Sequence, residues 1–132
     1  GAEIEARFHS EGPQFSKEGY MLISGKNGKM ALIPAVEDVF AFRPGSHAYM
    51  PVFRKSAFEW IPYTGVVIKA SGRKTILAHI ILPVQGDQEA RSIAASIRRT
   101  ADRAGNLTLS FEKAGKKRRY VFEKSGDGLI LR

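Results

Sequence analysis

The segment Gly86–Asn106, GDQEARSIAASIRRTADRAGN, is the one stretch with clear helical periodicity, and it limits what the other residues can build. Ala90, Ile93, Ala94, Ile97, Ala101 and Ala104 fall at helical spacing and form a narrow apolar stripe. Asp87 stands where it can cap the first turn, and Glu89 adds negative charge there. Arg98, Arg99 and Arg103 crowd the last turn, where the helix dipole favours cations. Gly105 can take the left-handed conformation that ends a helix, so the spacing predicts one helix over 87–104. Small residues and two isoleucines let such a helix lie close against a flat sheet, but they cannot form a core alone. The expectation is a sheet with one docked helix.

The remaining chain reads as strands. Ala2–Phe8 alternates Ile4, Ala6 and Phe8 with Glu3, Glu5 and Arg7, an edge strand with one wet face, and Ser10–Lys17 is a loop. Tyr20–Ile23 and Met30–Ile33 flank SGKNGK, where Asn27-Gly28 is the strongest hairpin signal. Pro34–Val39 can form a helical turn, or give way to a strand at Val39–Phe42. Phe40–Tyr63 holds three of the six prolines (Pro44, Pro51, Pro62), which favour edge strands and turns, so short strands are predicted at Ala48–Phe53 and Ala57–Ile61. Gly65–Lys69 and Thr75–Leu82 read as a second hairpin about SGRK. TILAHIIL is apolar on both faces, which places it centrally in the sheet and partly under the helix.

After the helix, Leu107, Leu109 and Phe111 alternate with polar residues, and AGKKRR turns into Tyr120–Glu123 as a third hairpin. Asp127-Gly128 offers a turn before a last short strand at Leu129–Leu131. The fold class is α+β: a single domain over 1–132, with a mainly antiparallel sheet or open β-barrel of about seven to nine strands and one helix over a face or an end. The element order from Tyr49 to Glu123 is also that of an OB-type barrel, a match of order without a motif. A chain of this length can bury one core but not two.

Lys and Arg outnumber Asp and Glu by 21 to 13, a net charge of +8 with a pI near 10.0. That balance points to acidic partners, with nucleic acid first and anionic lipid second. With no cysteine, disulfide frameworks, thiol catalysis and cysteine-rich zinc sites are excluded. No apolar run approaches the ~20 residues of a membrane span. GxSxG, HExxH, Walker-type and GxGxxG spacings are absent, so no cofactor, metal or catalytic residue is assigned.

The three hairpin tips share a basic character. Lys26 and Lys29 lie in the first, Arg73 and Lys74 in the second, and Lys116, Lys117, Arg118 and Arg119 in the third. If the tips share one end of the sheet they form a basic rim for phosphates or carboxylates, although lysine beside glycine is also ordinary solubilising composition. Between Phe40 and Tyr63, Arg43, His47, Arg54 and Lys55 interleave with aromatic residues. Exposed Phe53, Trp60 and Tyr63 would supply stacking or anchoring, whereas most rings of this region are expected in the core.

Arg91, Arg98, Arg99 and Arg103 read as a solvated helix face with Asp87 and Asp102 as local partners. His79 reads as half-buried with a backbone partner. The leading reading is therefore a non-enzymatic binding module with a basic rim. The alternatives are a protein-interaction or self-associating domain of an envelope or membrane-associated assembly, using the aromatic, proline-rich middle, and an enzyme with a dispersed site near His47.

Overall fold

In a computed structural model the residues described are 2–10, 14–36, 39–49, 59–70 and 76–132, with the side chains of 47–49 and 59–61 also left aside. Along the chain the elements are β1 (Glu3–His9), β2 (Gln14–Ser16), β3 (Met21–Gly25), β4 (Gly28–Pro34), β5 (Phe40–Tyr49) and β6 (Glu59–Lys69). They continue with β7 (His79–Val84), α1 (Asp87–Ser96), β8 (Arg98–Ala101), β9 (Leu107–Lys113), β10 (Lys116–Ser125) and β11 (Gly128–Leu131). All pairings among the described residues are antiparallel. The strands form an N-terminal sheet ordered β1-β6-β5, a middle sheet ordered β2-β3-β4-β7 and a C-terminal sheet ordered β11-β10-β9-β8. The α+β class holds, but the sheets do not close into a barrel. The described residues alone contain eleven strands, more than expected.

The middle sheet is the shared layer. Alternation sends Met21 and Leu32 to one face, where they meet Val66 and Ile68 of β6, with Phe8, Phe40 and Phe42 packed around them. The opposite face carries Leu22, Ala31 and Ile33 of β3 and β4 and Ile80 and Leu82 of β7. These pack on Ala90 and Ile93 of α1 and on Leu109 and Phe111 of β9. The expectation of one core is thus corrected to two clusters. A doubly covered sheet supplies residues to both, so the second cluster needs no separate scaffold.

The helix is shorter than its periodicity predicts. It ends at Ser96, and Ile97 already has extended backbone angles (φ −61°, ψ 132°). Arg98–Ala101 instead pairs with β9, from Arg98 opposite Ser110 to Ala101 opposite Leu107. Strand pairing along β9 outweighs a helical last turn whose apolar residues are only Ala101 and Ala104. Gly105 does adopt the left-handed conformation (φ 90°), but in the β8–β9 connection, where its N–H donates to the Asp102 carbonyl. Gly86 occupies the N-cap without a side-chain bond, so Asp87 is no cap. Glu89 reaches back to accept from the Gln85 N–H at 2.6 Å.

Three further expectations change. β6 pairs with β1 and β5, and β7 pairs with β4, so the segments flanking SGRK belong to different sheets and form no hairpin. β7 lies at an edge of the middle sheet, with Ile81 53% exposed, although Ile80 and Leu82 do lie under the helix. The strand alternative at Val39–Phe42 holds, but as the start of one ten-residue strand, Phe40–Tyr49. That strand also takes in the start of the one expected at Ala48–Phe53, while the one expected at Ala57–Ile61 overlaps the start of the longer β6. Pro44 of β5 sits on an edge strand, and Pro62 of β6 lies just beyond the last β1 pair, His9 with Tyr63. The edge strand at the N-terminus and the first and third hairpins stand as expected.

His79 lies at the start of β7, its ring 4.9 Å from that of Phe8 across the layer boundary. It is half-buried as expected, but its Nε2 is buried with no hydrogen-bond partner among the described residues. Burial holds its pKa below the usual 6.5. Above pH 6.5 the ring is neutral in both folded and unfolded chains. Below it the unfolded chain takes up the proton first, so stability falls as the pH drops towards the folded-state value. Thermal melts between pH 8 and pH 5 should therefore lose more stability in the wild type than in His79→Phe, and identical losses would remove His79 as the cause.

Candidate functional site

Of the predicted basic rim, the third hairpin changes most. The turn is Ala114-Gly115, both left-handed (φ 51° and 71°), and Lys116–Arg119 lie beyond it inside β10. The register sets Lys116 opposite Lys113 and Arg118 opposite Phe111, on the face that carries the core residues of β9. Lys117 is opposite Glu112 and Arg119 opposite Ser110, on the other face. A predicted tip cluster is therefore a strand with cations on both sides. All four are exposed, and none has an ion pair among the described residues. Tyr120 follows them, stacked on Phe111 at 6.2 Å.

Residues 97–132, from the helix end through the C-terminal sheet, carry ten Lys and Arg against four Asp and Glu, so six of the eight net positive charges fall here. Of the ten, Arg132 pairs with Glu123, and Arg98 donates to the Ala95 and Ile97 carbonyls at the helix end. The match of cation to helix terminus survives, made from a neighbouring strand.

Lys26 lies in the β3–β4 turn and Lys29 in β4, opposite Val84. Lys113 Nζ donates to the Pro83 carbonyl at 2.5 Å, and Pro83 pairs with Met30. Lys113, beside the third turn, thus reaches the end of β7 that pairs with the start of β4. Arg73 and Lys74 lie outside the described residues. Ile76, just after them, approaches Ala35 at the far end of β4, because the two carbonyls share one donor, Arg99 Nη1.

In the aromatic middle, Phe53 lies outside the described residues. Trp60 is in β6, opposite Ala48, and His47 is in β5, opposite Ile61, both with side chains left aside. Tyr63 is half-buried rather than an open platform. Its ring covers Gly45, where a Cβ would collide with it, while Arg7 stands 4.6 Å over it and His9 packs edge-on at 5.6 Å. Arg43 pairs with Glu3 at 2.9 Å. Phe40 and Phe42 join the core, as expected of most rings here.

A second basic site lies where no sequence signal pointed. A cavity of about 790 Å³ opens between α1, the residues leading into β3 and the loop after β4. Ile33, Val36, Phe40 and Ile97 give it apolar walls, and Lys17, Arg91 and Arg99 line it with only Glu18 of opposite sign among the described lining residues. Tyr20, 1% exposed, donates its hydroxyl to Asp87 Oδ1 at 2.5 Å and ties β3's entry to the first helical turn. Burial, then the Asp87 contact, raises the Tyr20 pKa. The same hydrogen bond, with Lys17, Arg91 and Lys29 nearby, keeps Asp87 low. Arg91 pairs with Asp87 at 3.3 Å.

Arg99 was expected on a solvated helix face with Asp102 beside it. As a strand residue opposite Leu109 it instead points inward. Nη1 donates to the carbonyls of Ala35 (3.0 Å) and Ile76 (3.1 Å), and Nε is buried without a partner among the described residues. Asp102 is engaged by Asn106. The only legible hint was the β-branched pair Ile97 and Thr100 interrupting the helical run.

Among the described residues no group of three His, Cys, Asp or Glu could hold a metal ion. Comparison with protein-family models, curated proteins and solved structures finds no match. Function is therefore read from this geometry.

Tyr20→Phe, which keeps the ring and removes the donor, should lower the melting temperature by about 3–5 °C, the size of one hydrogen bond in a chain of this length. In a cycle with Asp87→Ala the two losses should be less than additive, and strict additivity would show that the pair is not coupled.

Proposed function

We propose that this chain is a non-enzymatic binding module that contacts an acidic partner through the basic C-terminal sheet, with nucleic acid first and anionic lipid second. The concentration of +6 of the chain's +8 over residues 97–132 carries this reading. A field of one sign over a small surface attracts polyanions and raises their local concentration. Lys116, Lys117, Arg118 and Arg119 are the leading contacts, because they are exposed and lack ion pairs among the described residues. Desolvating them on binding breaks no internal bridge.

Lys26 and Lys29 extend the same surface past the end of β7, beside Lys113. Exposed Tyr120, next to the four cations, offers a face on which a base can stack, which favours nucleic acid over lipid.

Retention on heparin and affinity for single-stranded DNA measured against salt provide the test. Three phosphate contacts should give a log–log slope of about −2 on a single strand. Replacing Lys116, Lys117, Arg118 and Arg119 together by Ala should abolish both signals while the melting curve persists. Salt-independent binding, or full retention by that variant, rules the proposal out.

A further inference from the structure

We infer that the cavity between α1 and the β4–β5 side of the molecule binds an anionic amphiphile, a single carboxylate or phosphate head on an alkyl chain. Three observations carry this. Its volume of about 790 Å³ lies in the range of small-ligand sites. Its walls are apolar on the β4 and α1 sides, with Ile33, Val36, Phe40 and Ile97, whereas its charged lining is three cations to one carboxylate among the described residues. Arg99 then supplies a head-group anchor of unusual kind.

That guanidinium is half-buried and has no carboxylate partner among the described residues. Two backbone carbonyls hold Nη1, which fixes the orientation of the plane and leaves Nη2 without a hydrogen bond among the described residues. A positioned guanidinium with a spare donor in a partly dry site suits a carboxylate or phosphate oxygen. Withdrawing such a charge from water is costly unless an anion joins it. Lys17, exposed and lining the cavity, has no ion pair among the described residues, while Arg91 is partly committed to Asp87.

The apolar part of the ligand also has a place to go. A second hollow of about 490 Å³ shares Lys17, Glu18, Gly19 and Phe40 with the first and continues past Val39 and Phe42. Val39 is 88% exposed, an apolar residue held in water beside an apolar trough. An alkyl chain laid across Phe40 would cover it. The site is separate from the exposed cations of β10, so it stands or falls independently of the polyanion reading.

Calorimetric titration with dodecyl phosphate below its micelle concentration tests the inference, with dodecanoate as a second head group. Dodecyl maltoside and inorganic phosphate serve as the tail-only and head-only controls. Saturable one-to-one binding of both anionic amphiphiles is expected, with each control at least ~10-fold weaker, the scale of one charge-assisted hydrogen bond. Arg99→Gln should lose a similar factor. Because Arg99 also joins β8 to β4, Lys17→Gln and the cavity-filling Ala94→Phe provide variants that leave those bonds intact, and both should weaken binding.

The β10 variant lacking all four cations should bind the amphiphile as the wild type does, which separates this site from the C-terminal sheet. Glu37 and Asp38 follow Val36 in sequence and lie outside the described residues. If only Glu37→Gln/Asp38→Asn binds and the wild type does not, the cations already have internal partners and the inference fails. Equal binding of the neutral maltoside, or indifference to Ala94→Phe, overturns it as well.

Discussion

Burial of the middle sheet on both faces is the constraint from which the other features follow. β3 and β4 must present apolar residues at successive positions, Met21 and Leu22, then Ala31, Leu32 and Ile33, because both faces are covered at these positions, whereas Met30 and Ile81 towards the edge of the sheet stay exposed. One face requires the N-terminal sheet and the other requires α1 and β9. Remove either cover and large apolar side chains are exposed along whole strands. Among the described residues, side-chain ties between layers include Gln14 of β2 with Thr64 and the Phe8 carbonyl on the N-terminal side, and Tyr20 to Asp87, Arg99 to the Ala35 and Ile76 carbonyls and Lys113 to Pro83 on the other.

The last two ties also create the two basic regions. Joining the C-terminal sheet to the middle sheet at Arg99 leaves a gap between α1 and the loop after β4, and that gap is the cavity. The opposite tie, Lys113 to Pro83, brings the strand beside the third turn to the end of β7 that pairs with the start of β4. The cations of β10 then face solvent because β9, not β10, lies under the helix. Charge is thus distributed by which strand each sheet commits to the interior.

Much of the architecture was legible. Alternation identified β1 and β9, and Gly-containing turns marked the first and third hairpins, since these signals are local and act within a few residues. The helix was legible at its start and misplaced at its end. Ile97, Ala101 and Ala104 satisfy a helical stripe, yet the free edge of β9 offers Arg98–Ala101 a ladder of hydrogen bonds that no local pattern announces. The same error hid Arg99, because a strand and a helix aim the same residue in different directions.

By itself the sequence determined the α+β class, the turn of the first hairpin, the excess of positive charge and the absence of thiol chemistry. Each depends on composition or on neighbours a few residues away. Tertiary structure alone decided that β6 and β7 part into different sheets, that Lys116–Arg119 divide between two faces, and that a guanidinium lines a cavity. Those outcomes depend on pairings between strands far apart in the chain, whose energies belong to the partner surfaces together and to neither segment alone.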